Sequence, residues 1–374
     1  MTKKVDIIYC YKNKDVSRVK KSLDSLALQN DSAFNVIFID YGSDESFAQE
    51  IKNLCQQYEF CAYYYVNSFG QMWNRGDALN YGFKFSSAPY VFTSDIDMVY
   101  KNNFISYLLS LSKDEMMTHF FAVGYLNQKQ TDDLNIDRLE KLNFTRSENY
   151  ALGMMFSSRV VIEQINGYNS FYAIWGIEDN DIKKRIEKAG FKTGFISNEV
   201  LMLHQYHLPS DGVSLPSGWK QYLKDYNEHF FIELPEFNGL KELDWPRKRA
   251  SLDMVKNGNL TVKKLFGRRL YIRHCILNDI VNQKIDEPIK YEIELSDYLY
   301  PNNSTAFKFM RFFNTLLSSL NLPFKLESLF KEQYLDKKDV YDEIYFLLKS
   351  LENSIADYYL NHFENKIILV IIKK

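Results

Sequence analysis

Between Val5 and Ser94 one pattern recurs three times: an apolar run rich in β-branched and aromatic residues, followed by a segment of helical periodicity. Residues 5–11 (VDIIYCY) are the first run, and Asp15 to Gln29 follows with Val16, Val19, Leu23 and Leu26 at helical spacing. Val36 to Asp40 is the next strand and Ser46 to Tyr58 the next helix, opened by a serine that can cap it. Cys61 to Val66, Asp77 to Phe85 and Tyr90 to Ser94 complete the series as strand, helix and strand. Such alternation predicts an α/β fold, a mainly parallel sheet with helices on both faces, in which ligands gather at the carboxyl ends of the strands. Asp40 and Asp95 both fall at such ends.

The pattern loosens from about 104 to 148, with a helix near Phe104 to Leu111 and a polar stretch from Gln128 to Asn149. It returns with a strand at Leu152 to Ser157, a helix from Ser158 to Ile165, and a helix from Glu178 to Ala189 that Gly190 ends. Thr193 to His204 reads as extended, and Pro209 to Trp219, with Gly212, Pro216 and Gly218, as a mobile loop. At 374 residues the chain exceeds one ordinary core. The expected division is an α/β domain over residues 1–220 and a mainly α-helical region over 221–374.

Chemistry concentrates in three places. Trp175-Gly176-Ile177-Glu178-Asp179-Asn180-Asp181 sets three carboxylates within four residues, behind a Trp-Gly turn and ahead of a helix. Asp95-Ile96-Asp97 follows an apolar strand, and His204-Gln205-Tyr206-His207 closes an extended run. Oxygen ligands suit Mg²⁺ or Mn²⁺, and an added imidazole favours Mn²⁺. Such a cation would offset the charge that builds on a departing diphosphate, which points to a nucleotide-sugar donor. One of Asp95 and Asp97 is then a candidate metal ligand and the other faces ribose or sugar, with His204 as a further candidate ligand and His207 on the metal or the diphosphate. Asp179, at a helix N-terminus that favours its ionised form, is the candidate base for an acceptor hydroxyl, and Glu178 the residue that holds the acceptor. The Trp175 indole is a platform for a sugar ring. Asp40 could accept hydrogen bonds from a uracil or ribose, and Arg75, just before a helix, could reach a phosphate or pair with an acid.

WGIEDND followed by IKKRIEKAGF resembles the WGxEDxD region of the β-1,4-galactosyltransferase and polypeptide N-acetylgalactosaminyltransferase group, which bacterial chondroitin-polymerase-like enzymes share. IDYGSDE, NRGDALNYG and TSDIDMVY look like the nucleotide-binding half of those family-2-like, GT-A-fold enzymes, so the resemblance runs over roughly residues 3 to 210. It implies Asp40 at the uracil, Arg75 near the nucleotide, Asp95 at ribose or sugar, Asp97 and His204 on the metal, Glu178 on sugar or acceptor, and Asp179 as base. Two departures stand out: Tyr41 where many relatives carry a second acid, and Asn180 within the acidic run.

The expected activity is therefore metal-dependent, inverting transfer of a hexose or N-acetylhexosamine from a UDP-sugar to a glycan or lipid-linked acceptor, in synthesis of a bacterial surface polysaccharide such as capsule. A retaining transferase of the same fold and a noncatalytic carbohydrate-binding protein are the alternatives. With 46 basic and 48 acidic residues the chain has no global field to attract nucleic acid. Cys10, Cys55, Cys61 and Cys275 show no metal-binding spacing and read as reduced core residues of a cytoplasmic protein. No apolar run is long enough for a membrane anchor. Residues 244–274 carry nine basic residues against Asp244 and Asp253, which suggests peripheral contact with the inner face of the plasma membrane.

Overall fold

The computed structural model describes residues 3–174, 176–208, 225, 227–228, 237–258, 260–266, 269–282, 288–294, 312, 337–363 and 366–374. Trp175 and the Pro209 to Trp219 loop lie outside them. The chain divides into two compact units, Met1–Ser214 with Lys220–Lys248, and Leu215–Trp219 with Arg249–Lys374. The division falls near 248, later than the expected 220.

The first unit follows the alternation. Strands β1 (Val5–Tyr11), β2 (Phe34–Tyr41), β3 (Cys61–Val66) and β4 (Tyr90–Ser94) are parallel neighbours in the order β3-β2-β1-β4. Helices α1 (Val16–Ala27), α2 (Glu45–Cys55) and α3 (Arg75–Phe85) connect them. Residue parity along β1 separates two cores, because successive strand side chains point to opposite faces. Val5, Ile7, Tyr9 and Tyr11 pack with Val19, Leu23 and Leu26 of α1 and with Ile51 and Leu54 of α2. Ile8 packs on the other face with Ala78, Leu79, Tyr81 and Phe83 of α3.

Beyond β4 the sheet continues through β7 (Arg146–Ser158) and β6 (Met117–Tyr125), antiparallel to each other and, for β7, to β4. Strand β6 falls inside the stretch where the sequence pattern loosens. Its run His119 to Val123 is continuously apolar apart from the histidine, and a strand covered on both faces has no alternation to betray it. The extended segment 193–204 is two strands, β8 (Lys192–Ile196) and β9 (Met202–His204), each parallel to β6. A three-residue strand, β5 (Met98–Tyr100), pairs antiparallel with β9 and sets Met98 opposite His204. Helices α4 (Phe104–Leu111), α5 (Gln128–Asp132), α6 (Arg159–Gln164) and α7 (Glu178–Lys188) complete the unit. The strand order reverses at β1, between β2 and β4, which opens a crevice at their carboxyl ends.

The second unit differs from the expected mainly helical region. Its described residues include helices α8 (Ala250–Asn257), α9 (Arg269–Leu277) and α10 (Lys337–Ser350), but also a four-stranded sheet. The strands are β10 (Thr261–Phe266), β11 (Ile289–Glu294), β12 (Ile355–His362) and β13 (Lys366–Lys373), in the order β10-β11-β13-β12. KIILVIIK of β13 is β-branched and has antiparallel partners on both sides, and that pairing, not helical periodicity, defines the segment. Four cations of the basic stretch are held by internal carboxylates. Arg247 meets Asp77 in the first unit, while Arg249 meets Asp357, Lys263 meets Asp279 and Arg273 meets Glu343 in the second.

Candidate active site

Strand pairing assembles the site. The backbone turns after β4 at Asp95, and β5 then runs beside β9, so that Asp97 and the His204 segment share one end of the sheet. Gln205 reinforces the junction: its backbone N–H donates to the Asp97 carbonyl at 3.1 Å, and its side-chain amide donates to the same carbonyl at 3.2 Å. His204 Nε2 lies 3.5 Å from Asp97 Oδ1, and His207 Nε2 lies 3.1 Å from Asp97 Oδ2. One ligand atom from each of Asp97, His204 and His207 fits within a 4.8 Å cluster.

Asp97 Oδ1 is buried and has no hydrogen-bond partner. Leaving a carboxylate oxygen so costs free energy unless a ligand satisfies it. Burial acts to raise the Asp97 pKa, yet the hydrogen bond from His207 and the charges of His204, His207 and Arg18 hold it below the ordinary carboxylate value. An ionised oxygen with two imidazole nitrogens fits a divalent cation that accepts nitrogen, Mn²⁺ in preference to Mg²⁺. Both histidines belong to this cluster, whereas the sequence alone leaves His207 between metal and diphosphate.

The second constellation centres on Arg75, the first residue of α3. Asn74 caps that helix by accepting from Asp77 N–H at 2.9 Å, which fixes where the arginine leaves the backbone. Arg75 Nε donates to Asp95 Oδ1 at 3.2 Å, Nη1 to Asp179 Oδ1 at 2.9 Å, and Nη2 to the Gly153 carbonyl at 3.0 Å. The Tyr168 hydroxyl also donates to Asp179 Oδ1, at 3.4 Å. Gly153 leaves room for this contact: a Cβ would stand 3.0 Å from Arg75 Nη2 and 3.3 Å from Asp179 Oδ2, so both side chains would have to give by a few tenths of an ångström. Arg75 thus bridges the acid behind β4 and the acid of α7.

Glu178 and Asp179 form the first turn of α7. The turn before them is strained: Ile174 has φ 70° and Ile177 φ 77°, left-handed values that β-branched residues rarely adopt. The Ile174 N–H donates to the Trp73 carbonyl at 2.7 Å, which helps to hold that conformation. Burial and the adjacent Asp179 charge push the Glu178 carboxyl up to about 7, against the pull of Arg75. Burial raises Asp179 as well, with Arg75 opposing. Asp181 pairs instead with Arg185 on its own helix, at 2.7 Å. Trp175, the expected sugar platform, lies outside the described residues.

Asp40, expected at the uracil, lies near the end of β2. It is fully buried; Oδ1 accepts from Ser43 N–H at 2.9 Å and Oδ2 from the Tyr63 hydroxyl at 2.8 Å. In this arrangement Asp40 shapes the turn after β2. Tyr41, the departure from the relatives' acid, donates to Asp77 Oδ2 at 2.6 Å, where Arg247 also donates at 2.8 Å. Sequence reasoning missed Arg18. Lying on α1, 79 positions before Asp97, it comes within 3.8 Å of that carboxylate, a proximity with no local signal.

Residues 6–160 match the family described as "Glycosyl transferase family 2", and residues 139–208 match "N-terminal domain of galactosyltransferase". No curated protein matches the sequence. Among solved structures, GalNAc-T7 with UDP, GalNAc and Mn²⁺ aligns at 15% identity and TM-score 0.45, over 61% of this chain and 48% of that one. The chain therefore spans about half the length of that protein. The Pyrobaculum calidifontis mannosyltransferase PcManGT in complex with GDP-Man and Mn²⁺ aligns at 13% identity and TM-score 0.41, over 63% of this chain and 71% of that one. S. aureus TarS 1-349 in complex with UDP-GlcNAc aligns at 11% identity and TM-score 0.41, over 59% and 63%.

Proposed function

We propose, from the premise that residues 6–208 form a family-2-like glycosyltransferase domain of the GT-A type, that this protein transfers a hexose or N-acetylhexosamine from a UDP-sugar to a glycan acceptor with inversion at the anomeric carbon. The observation that carries the reading is the meeting of two constellations on one sheet end. Asp97, His204 and His207 form a cation-binding set with an unsatisfied buried oxygen. Two residues away, Asp95 is joined through Arg75 to Asp179.

In this reading Asp97, His204 and His207 would hold Mn²⁺, which when bound supplies positive charge to the departing diphosphate. Asp95, half exposed beside Arg75, would meet the ribose or sugar. Glu178 would orient the acceptor, and Asp179 would take the acceptor hydroxyl proton at its Oδ2, since Oδ1 is held by Arg75 and Tyr168. Arg75 favours the ionised form of Asp179 against its burial, which a base requires. A retaining transferase would not need that base. A bacterial surface polysaccharide such as capsule is the acceptor class we favour, with work at the cytoplasmic face of the plasma membrane; no described helix is long and apolar enough to cross a membrane.

The test is UDP release across a panel of UDP-sugars with Mn²⁺, Mg²⁺ or EDTA, beside Asp97→Ala. Metal-dependent release with one sugar, lost in the variant, is the expected outcome. Absence of UDP binding under all of these conditions would overturn the reading. A product of retained anomeric configuration would replace inversion with the alternative.

A further inference from the structure

We infer that Arg18 is a phosphate-binding residue of the donor site, recognising the diphosphate of the nucleotide next to the cation cluster. The inference rests on the donor reading above. Arg18 is on the first turn of α1, and its side chain is only 14% exposed. Nη1 lies 3.8 Å from Asp97 Oδ2, and Nε lies 3.6 Å from Asp15 Oδ2. Neither approach is a hydrogen bond, and among the described residues the guanidinium has no other partner. Each carboxylate has a second contact: Asp15 Oδ1 caps α1 by accepting from Ser17 N–H at 2.8 Å, and Asp97 faces the two histidines.

A guanidinium has five N–H donors in a rigid fork, and those of Arg18 make no hydrogen bond to the described residues, which leaves them available to a ligand beside the cluster. Gln205 Nε2 donates to the Arg18 carbonyl at 3.0 Å and to the Asp97 carbonyl at 3.2 Å, tying the arginine backbone to the strand end that carries the cluster. Once a divalent cation occupies Asp97, the charge that attracts Arg18 is neutralised. With Asp15 and Asp97 counted the site then carries net positive charge, and a diphosphate offsets it while matching the guanidinium fork. A purely structural partner of Asp97 would instead be expected at hydrogen-bonding distance.

Calorimetric titration with UDP and with uridine, each in Mn²⁺, distinguishes the possibilities on wild type, Arg18→Ala and Arg18→Lys. Arg18→Ala should weaken UDP by about 10- to 100-fold, the loss of a charged hydrogen bond. Uridine affinity should be unchanged, and Arg18→Lys should recover part of the loss. Mn²⁺ alone should bind Arg18→Ala at least as tightly as wild type, since a like charge has left Asp97. Equal UDP affinity in wild type and Arg18→Ala would overturn the inference, as would an equal loss for uridine or a loss of Mn²⁺ binding. Failure of wild type to bind UDP would instead remove the donor reading, and this inference with it.

Discussion

Arg75 and Asp179 lie 104 positions apart in the chain and meet at 2.9 Å, Nη1 to Oδ1, with the same guanidinium reaching Asp95 at 3.2 Å. One cation therefore serves two carboxylates that would otherwise repel across the crevice, and it does so from the first residue of a helix whose cap fixes its origin.

Removing that cation should be costly for the reaction. Arg75→Ala is expected to lower kcat by about 10²-fold or more, because the acids it orients lose their geometry. Arg75→Lys should recover only part, since a single ammonium cannot match three fixed directions. Steady-state kinetics with whichever UDP-sugar of the panel is turned over, set beside thermal melts, checks this; a variant with wild-type kcat would remove Arg75 from the machinery.

Gly153→Ala should act on the same contact from the other side. The added methyl meets Arg75 Nη2 at 3.0 Å and Asp179 Oδ2 at 3.3 Å, so the pair must shift by tenths of an ångström. A loss in kcat with little change in melting temperature is expected.

The cation cluster predicts a graded metal response. Asp97→Ala, His204→Ala and His207→Ala should each weaken Mn²⁺ binding, by about 10- to 100-fold for the histidines. Titration followed by the paramagnetic signal of free Mn²⁺ measures it. Unaltered affinity in His207→Ala would reduce the set to Asp97 and His204.

Glu178 predicts a pH effect on stability. Its folded pKa, about 7, lies above the ordinary value of 4.5, so between these values the folded protein keeps a proton that the unfolded chain releases. Stability contributed here falls as pH rises through that window, and the penalty, up to roughly 3 kcal/mol, is complete above pH 7. Glu178→Gln, which mimics the protonated form, should match wild type near pH 4.5 and melt higher at pH 8. A melting difference independent of pH would contradict the assignment.

In the second unit, Arg249 and Asp357 are a buried pair, with side chains 1% and 9% exposed and joined at 2.9 Å. Asp357→Ala removes the carboxylate that accepts from Arg249 Nε and from both the N–H and hydroxyl of Ser251, and should destabilise by about 3–5 kcal/mol. Denaturant unfolding checks the magnitude.

The amino-acid sequence by itself determined the first unit's architecture and the residue types of its chemistry. Strand and helix periods are local properties, so β1 to β4 and the helices between them are legible from spacing, as are the acidic run that opens α7 and the histidines after Thr193. It did not reveal β6, whose apolar run lacks alternation, nor the sheet of the second unit, in which β11 takes β13, more than 70 positions later, as a partner. Only the tertiary structure decided which groups share a site. The β5–β9 pairing brought His204 and His207 to Asp97, and the packing of α3 on β1 and β2 brought Arg75 to Asp179. It also turned Asp40 inward and Arg18 toward Asp97. Carboxylates, imidazoles and guanidinium groups act over a few ångströms, and a linear sequence carries no measure of distance between residues a hundred positions apart.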